Sequence, residues 1–168
     1  KKLNEAMFYV IKENISNGNL QILHITGKRF YEDFTNKLEE NNLILGNNIR
    51  VVPYFYDMPK AINVADLVVT SAGAITWAEI SAVGIPSILI PKGYTAENHQ
   101  EYNARAFEKK GASLVILEKD LTGEKLNEMI SSVIKDEKAL VDMCKNSKQI
   151  GRIDAVDKIV DIIDELIV

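Results

Sequence analysis

Cysteine is almost missing from this chain of 168 residues, which contains only Cys144. One cysteine cannot form an internal disulfide, so we expect a fold without a disulfide framework and a reducing compartment, by default the cytoplasm. Long apolar runs are missing too: no stretch approaches the ~20 residues that span a bilayer, and the first residues lack the apolar core of a signal peptide. We therefore expect no transmembrane segment.

Positive charge is scarce relative to negative charge. The chain has 20 Lys and Arg against 24 Asp and Glu, a net charge of -4 at pH 7, and no segment that combines Lys and Arg with aromatic residues. The electrostatic footprint of a nucleic-acid-binding protein is therefore missing. His, Cys, Asp and Glu also never occur at metal-ligand spacing. We expect no nucleic-acid partner, no metal and no cofactor.

The chain does contain an alternation of short β-rich runs and helical patterns, which is typical of repeated βα units around a mainly parallel sheet. With 46% hydrophobic and 26% charged residues, it has enough apolar sequence for one α/β domain. The predicted strands cover 20–25, 49–52, 67–70, 87–90 and 113–116, and the predicted helices cover 2–15, 30–40, 58–64, 75–83 and 98–110. Residues 122–168 are predicted to form two or three further helices, broken near 135–136 and near Gly151.

Ligands of parallel sheets bind at the carboxyl ends of the strands, so the loops after the strands are the place to look for a site. The segment 71–76 is a small-residue turn that enters a helix, where backbone N–H groups and the Thr76 hydroxyl could meet a phosphate. It could also be a plain strand-to-helix turn. Glu79, about two turns into that helix, could accept hydrogen bonds from a ribose diol or be a solvated acid favoured by the helix dipole.

A second polar loop follows the next strand. His99 and Gln100 could contact a ligand there, or they could form an ordinary polar helix start capped by Glu97 or Asn98. We expect Asn103 to support this loop by side-chain hydrogen bonding. Together with the small-residue turn, this loop gives a layout typical of nucleotide binding.

Aromatic residues cluster after the second predicted strand. Tyr54, Phe55 and Met58 could form a flat apolar wall for a pyrimidine, or they could belong to the core. His24, at the end of the first strand, could act as a base, although a lone histidine in such a place is more often structural. We interpret 24–27 as a scaffold that lines the cleft.

Five segments of the chain resemble one known family in order and spacing. They are HITG at 24–27, the aromatic loop ending in Met at 54–58, ADLVVTSAGAITWAEI at 65–80, GIPSILIP at 84–91 and NHQEYNA at 98–104. Together they are similar to the C-terminal domain of the MurG family in glycosyltransferase family 28, and the similarity runs from about Leu3 to the C-terminus. Members of that family transfer N-acetylglucosamine from its UDP donor to lipid I, which yields lipid II for peptidoglycan.

The resemblance implies a GT-B architecture of two Rossmann-like domains, of which residues 1–168 would be the single UDP-sugar-binding domain, with a parallel sheet and helices on both faces. The N-terminal domain that binds lipid I, and the first strand with its Gly-rich loop, would lie outside this chain. An inverting transfer without a cofactor is implied, and the general base would belong to the absent domain, so we expect no catalytic residue here. The whole enzyme would be peripheral on the cytoplasmic face of the cell membrane.

The resemblance also assigns roles to particular positions. Glu79 would hold the ribose hydroxyls, His99 and Gln100 would bind the sugar, and Asn103 would support them. Phe55 would offer its backbone to uracil, with Met58 packed nearby. The residues expected at the diphosphate are Gly73, Ala74, Ile75 and Thr76. Many members of the family have Arg where this chain has Ser71, so one cationic contact to the diphosphate is in question.

Two alternatives to the donor domain of a lipid II-forming enzyme remain open at this point. The chain could be the catalytic subunit of a two-component UDP-N-acetylglucosamine transferase, although the missing first strand argues against it. It could also be a UDP-sugar epimerase-like domain or another nucleotide-binding module, although the expected loops show no acid/base pair. The sequence preceding Lys1 would discriminate among the three, since a Gly-rich loop after a full acceptor domain selects the first.

The last predicted helix has a broad apolar stripe with helical spacing. Its members are Ile153, Val156, Ile159, Val160, Ile163, Leu166 and Ile167. Such a face needs a partner. The resemblance implies that the last helix crosses back to the N-terminal domain, which would leave the stripe exposed or paired with another copy here, and the alternative is burial on the chain's own sheet.

Overall fold

The computed structural model of the chain describes residues 1–93 and 99–167, the last of these by its backbone alone. It contains five strands, β1 (Ile22–Ile25), β2 (Ile49–Val52), β3 (Val68–Thr70), β4 (Ser87–Leu89) and β5 (Ser113–Val115). The helices among the described residues are α1 (Lys2–Asn14), α2 (Tyr31–Glu40), α3 (Met58–Val64), α4 (Ala74–Val83), α5 (His99–Lys109), α6 (Gly123–Lys135), α7 (Glu137–Ile150) and α8 (Ala155–Ile167). The predicted α/β alternation is confirmed.

Most predicted boundaries agree with the structure to within one or two residues. The first strand starts at Ile22 rather than at residue 20, because Leu20 belongs to a turn: its N–H donates to the Asn17 carbonyl, and its own carbonyl accepts from the Asn48 side chain at 3.1 Å. The C-terminal segment forms three helices, and the breaks fall at Asp136 and at 151–154, as predicted. The expected helix start at Asn98 lies outside the described residues.

The strands are parallel but form two sheets instead of the single sheet expected from the sequence. β1 pairs with β2, with Ile22 opposite Ile49, while β4 lies between β3 and β5, with Ile88 opposite Val69 and Leu114. No strand of the described residues lies between β1 and β3. Each of these two strands therefore has one edge that no other described strand pairs.

Helix α1 connects the two sheets. Met7 and Val10 pack in a buried cluster that includes Ile88 of β4 and is contacted by Ile22 of β1 and by Val69 of β3. Phe8 and Ile11 of the same helix belong to a second cluster with residues of α2 and β2. One helix thus contributes to the core on both sides of the gap between β1 and β3.

The apolar stripe of α8 is not buried on the chain's own sheet, which was one of the two alternatives left open by the sequence. Its side chains are exposed throughout the described part, with Val156 at 71% and Leu166 at 80% of their full accessibility. That alternative is wrong for this structure, and the stripe remains an exposed apolar face. None of the described helices is long and apolar enough to span a membrane.

The unpaired edges predict an alternating pattern of hydrogen exchange. The N–H of Ile22 donates to the carbonyl of Asn48, directly before β2, at 2.8 Å, and the N–H of Thr26 donates to the carbonyl of Val52 at 3.0 Å. The N–H groups of Leu23 and Ile25 are therefore directed to the side without a strand. We expect the amides of Leu23 and Ile25 to exchange faster than that of His24, because local protection follows hydrogen bonding. Residue-resolved exchange by NMR on the 168-residue chain measures this. Equal protection of all three amides would contradict the split sheet.

Candidate functional site

The small-residue turn after β3 forms as the sequence predicts. Gly73 occupies the N-cap of α4, without a side-chain hydrogen bond, and a Cβ built on it would approach the Thr76 hydroxyl to 3.8 Å. Ala74 and Ile75 are exposed, and the Thr76 side chain is half-buried. Because the first N–H groups of a helix have no partner within the helix, this start of α4 presents donors to solvent beside an accessible hydroxyl. Such a surface suits an anionic group.

Glu79 lies on the same face of α4 as the residues of the turn. It follows Ile75 by four residues and Thr76 by three, and positions at this spacing are neighbours on a helix surface. Its side chain is exposed. A carboxylate therefore stands one turn away from the free N–H groups, where it can accept hydrogen bonds from hydroxyls of a ligand whose anionic part meets the turn.

The opposite face of α4 fixes the helix in place. Ile80 and Ser81 are each only 1% exposed, and Trp77 packs edge-on against Phe107 of α5 with 5.0 Å between ring centroids. The helix ends at Gly84, whose φ of 83° lies in the left-handed region that favours glycine. The start of α4 is thus held rigidly from behind.

The loop after β2 is an exposed aromatic surface and not part of the core. Tyr54 and Tyr56 meet edge-on with 4.9 Å between centroids, and both are more than half exposed. Lys28, in the loop after β1, places its Nζ 5.6 Å from the centroid of the Tyr54 ring. Phe55, which stands between the two tyrosines in the sequence, is half-buried, and Met58 is 37% exposed at the start of α3. The prediction of an accessible apolar wall fits this arrangement, and the sequence interpretation did not include Lys28.

The loops after β1 and β2 are tied together by Thr26. Its N–H donates to the Val52 carbonyl at 3.0 Å, and its own carbonyl accepts from the Asn4 side chain at 3.0 Å. Gly27 follows with φ of 82°, a conformation that favours glycine. The segment 24–27 therefore acts as a scaffold, as the sequence suggested.

His24 is a core residue and not a solvent-facing base. Its side chain is 6% exposed, its ring centroid lies 4.9 Å from that of Phe34, and its Nε2 has no hydrogen-bond partner among the described residues. Burial lowers the pKa of His24 to about 4, so the ring is neutral near pH 7. The structural interpretation of this histidine is confirmed.

The loop after β4 carries the third group of predicted residues. The backbone N–H of Lys92 donates to Oε1 of Gln100 at 3.1 Å, and the N–H of Gly93 donates to Oε2 of Glu118 at 3.1 Å. His99 is exposed at the start of α5, and Asn103 is half-buried one turn later. The expected cap residues, Glu97 and Asn98, lie outside the described part of the chain. The support that we expect from Asn103 stays a prediction.

Packing relates the three loops to one another. β3 and β4 are adjacent and parallel, so the turn at Gly73 and the loop at Lys92 leave the same edge of one sheet. Ile62 of α3 and Ile80 of α4 share a buried cluster, which links the helix that starts at Met58 to the helix that carries Glu79.

Several residues of the candidate site are exposed, namely Ala74, Ile75, Glu79 and His99. Two clefts open elsewhere, one between α1 and α2, lined by Phe8, Phe30 and Phe34 among others, and one beside Glu118 and Gly123. Neither includes a residue predicted to bind the donor. Within 1–93 and 99–167, no three His, Cys, Asp or Glu side chains are grouped so that they could hold a metal ion.

Comparison with known proteins identifies the family. Residues 1–162 match the family model described as the glycosyltransferase family 28 C-terminal domain. The chain belongs to this family. A relative from Clostridioides difficile, named as a UDP-N-acetylglucosamine–N-acetylmuramyl-(pentapeptide) pyrophosphoryl-undecaprenol N-acetylglucosamine transferase, is 49% identical over 96% of this chain and 39% of its own length. This family 28 chain thus spans well under half of that relative.

Solved structures agree with the family 28 assignment. The crystal structure of Acinetobacter baumannii MurG superposes with a TM-score of 0.83 and 26% identity, over 98% of this chain and 46% of that chain. A Listeria monocytogenes protein described as a UDP-N-acetylglucosamine 2-epimerase gives a TM-score of 0.75 at 14% identity, over 98% of this chain and 41% of that one. At that identity the similarity shows a common fold alone. The expected resemblance to the C-terminal half of a GT-B glycosyltransferase is confirmed.

The buried His24 predicts a loss of stability in mild acid. Its pKa is about 4 in the folded chain and near 6.5 when unfolded, so the unfolded chain takes up the proton first as the pH falls. Its contribution to stability is complete above pH 6.5 and is lost as the pH falls toward 4, with a slope of at most about 1.4 kcal/mol per pH unit. We expect the free energy of unfolding to drop by about 1 to 2 kcal/mol more between pH 7 and pH 5 in the natural chain than in His24→Gln.

Urea unfolding at the two pH values measures this difference. The exposed His99 is common to both proteins and cancels in the comparison. The same pH dependence in the natural chain and in His24→Gln would show that His24 is already accessible to protons in the folded state.

Proposed function

We propose that this chain is the donor domain of a glycosyltransferase that adds N-acetylglucosamine from UDP-N-acetylglucosamine to lipid I. The assignment of residues 1–168 to one UDP-sugar-binding domain, with the acceptor domain elsewhere in the protein, is part of this proposal. Support comes from family 28 membership and from the name of the Clostridioides difficile relative. The fold similarity to an epimerase adds no support for epimerase chemistry, because that protein is only 14% identical to this chain, compared with 49% for the Clostridioides difficile relative.

The geometry of α4 is the observation that carries the proposal. In our assignment the diphosphate meets the N–H groups at Gly73, Ala74, Ile75 and Thr76, while Glu79 accepts hydrogen bonds from the ribose hydroxyls. A diphosphate and a ribose are joined in UDP, and the turn and the carboxylate are one helical turn apart, which matches that order of groups. Uracil then lies toward the loop of Phe55 and Met58.

The N-acetylglucosamine unit is assigned to the other loop. His99 and Gln100 contact its hydroxyls in this proposal, and Asn103 supports them. Ser71 stands where many family members have Arg, so in this chain the backbone donors of α4 supply most of the local positive potential at the diphosphate.

The chemistry proposed for the whole enzyme is an inverting transfer. The acceptor hydroxyl of lipid I attacks the anomeric carbon, and the bond from that carbon to UDP breaks. The start of α4 stabilises the negative charge that develops on the departing diphosphate, which is electrostatic catalysis by preorganised donors. The general base belongs to the acceptor domain in this scheme, and the enzyme works as a peripheral protein on the cytoplasmic face of the membrane that holds lipid I.

The role of Glu79 gives the test of this function. Removal of a charge-assisted hydrogen bond costs about 1.5 to 3 kcal/mol, so Glu79→Ala should weaken UDP binding by about tenfold to a hundredfold. The natural chain should bind UDP more tightly than 2′-deoxy-UDP, and the variant should lose that preference, because the diol then has no carboxylate partner. Titrations followed by NMR measure both affinities, including weak ones.

A matched control is Asp142→Asn, which removes an exposed carboxylate on α7, away from the site. It should bind both nucleotides as the natural chain does. A preference for ribose that survives in Glu79→Ala would show that Glu79 is not the diol ligand, and a natural chain that binds no UDP at all would overturn the proposed function.

A further inference from the structure

Lys92 and Gly93, the described residues at the start of the segment between β4 and α5, each donate a backbone N–H to a side chain. That of Lys92 donates to Oε1 of Gln100, and that of Gly93 donates to Oε2 of Glu118, each at 3.1 Å. Gln100 belongs to α5, while Glu118 comes from beyond β5, 25 positions after Gly93. Lys92 and Gly93 are therefore held between the first turn of one helix and the segment that follows a neighbouring strand.

Glu118 is itself firmly placed. β5 pairs with β4, so that Val115 is opposite Leu89, and the N–H of Ile116 extends the ladder to the Leu89 carbonyl at 3.1 Å. Glu118 then begins a short 3-10 helix, and its side chain is half-buried. Its carboxylate makes no ion pair with the described residues. Among them, it accepts a hydrogen bond from the backbone N–H of Gly93. A hydrogen bond from an N–H to a carboxylate is one of the stronger kinds.

The bond from Lys92 decides how Gln100 is presented. A backbone N–H can only donate, so the carbonyl oxygen of the Gln100 amide must face it. The amide nitrogen of Gln100, with two N–H donors, is then the end left for a ligand. Movement of the 92–93 backbone would release this orientation.

We propose that Glu118 is a positioning residue for recognition of the donor sugar: it anchors Gly93, and through the adjacent Lys92 it orients the Gln100 amide so that its donor end meets a sugar hydroxyl. This inference rests on the proposed function, because it assumes that Gln100 binds the sugar of a UDP-sugar. Glu118 acts through the loop and does not touch the ligand.

The proposal predicts an effect confined to the sugar. Glu118→Ala should weaken binding of UDP-N-acetylglucosamine by about twofold to tenfold, the size expected from the loss of one neutral hydrogen bond between the Gln100 amide and a sugar hydroxyl, and should leave the affinity for UDP unchanged. Glu118→Gln retains an acceptor oxygen and should restore most of the sugar-nucleotide affinity. Asp120→Ala, an exposed neighbour in the same 3-10 helix, is the matched control and should behave as the natural chain.

A double-mutant cycle separates positioning from general structural support. In a Gln100→Ala background, Glu118→Ala should cause no further loss of UDP-N-acetylglucosamine affinity, because its effect passes through Gln100. Titrations with UDP and UDP-N-acetylglucosamine, with a melting curve for each variant, provide the data. A persistent effect of Glu118→Ala in that background, or an equal loss of UDP affinity, overturns the inference. A natural chain that binds neither nucleotide overturns the proposed function instead.

Discussion

The packing of α1 across two separate sheets is the constraint on which the rest of this structure depends. β1 and β3 share no hydrogen bonds, so backbone pairing does not connect the sheet of β1 and β2 to the sheet of β3, β4 and β5. Apolar burial does so instead: Met7 and Val10 of α1 lie in one cluster and Ile11 in the next. Hydrophobic burial is non-directional and tolerates a gap that hydrogen bonding cannot bridge. The loops that form the candidate site keep their relative places through this helix and through the contact between α3 and α4.

Much of the fold could be predicted because its signals are local. Short apolar strands, helical periodicity and the small-residue turn at Gly73 each depend on neighbouring residues, and the position of Glu79 relative to Thr76 follows from helix geometry alone. His24 could likewise be predicted to be structural from its place at the end of an apolar strand, and it is buried in the structure.

The features that were not predicted involve partners that lie far apart in the sequence. Nothing near Gly93 indicates that its N–H meets Glu118, 25 residues later. The split between the sheets depends on which strands are neighbours, and the strand patterns themselves do not specify that order. The apolar stripe of α8 was identified from its spacing, but spacing does not reveal what covers a face. The chain's own sheet does not cover this one.

In our proposal the donor is bound mainly by backbone groups and a single carboxylate, with an exposed aromatic loop on one side and the amide of Gln100 on the other. A site of this kind needs rigid supports more than unusual side chains, because backbone donors are useful only when held in place. α4 has such a support in Ile80 and Trp77, and the loop at Lys92 has one in Glu118.

We propose that UDP binds at the start of α4. A chemical-shift map of the backbone amides during titration with UDP tests it most directly. We expect the largest changes at Gly73, Ala74, Ile75 and Thr76, with a second group at Phe55 and Met58, and little change on α6 or α7. Saturable changes concentrated between α1 and α2, with none at the start of α4, would contradict it.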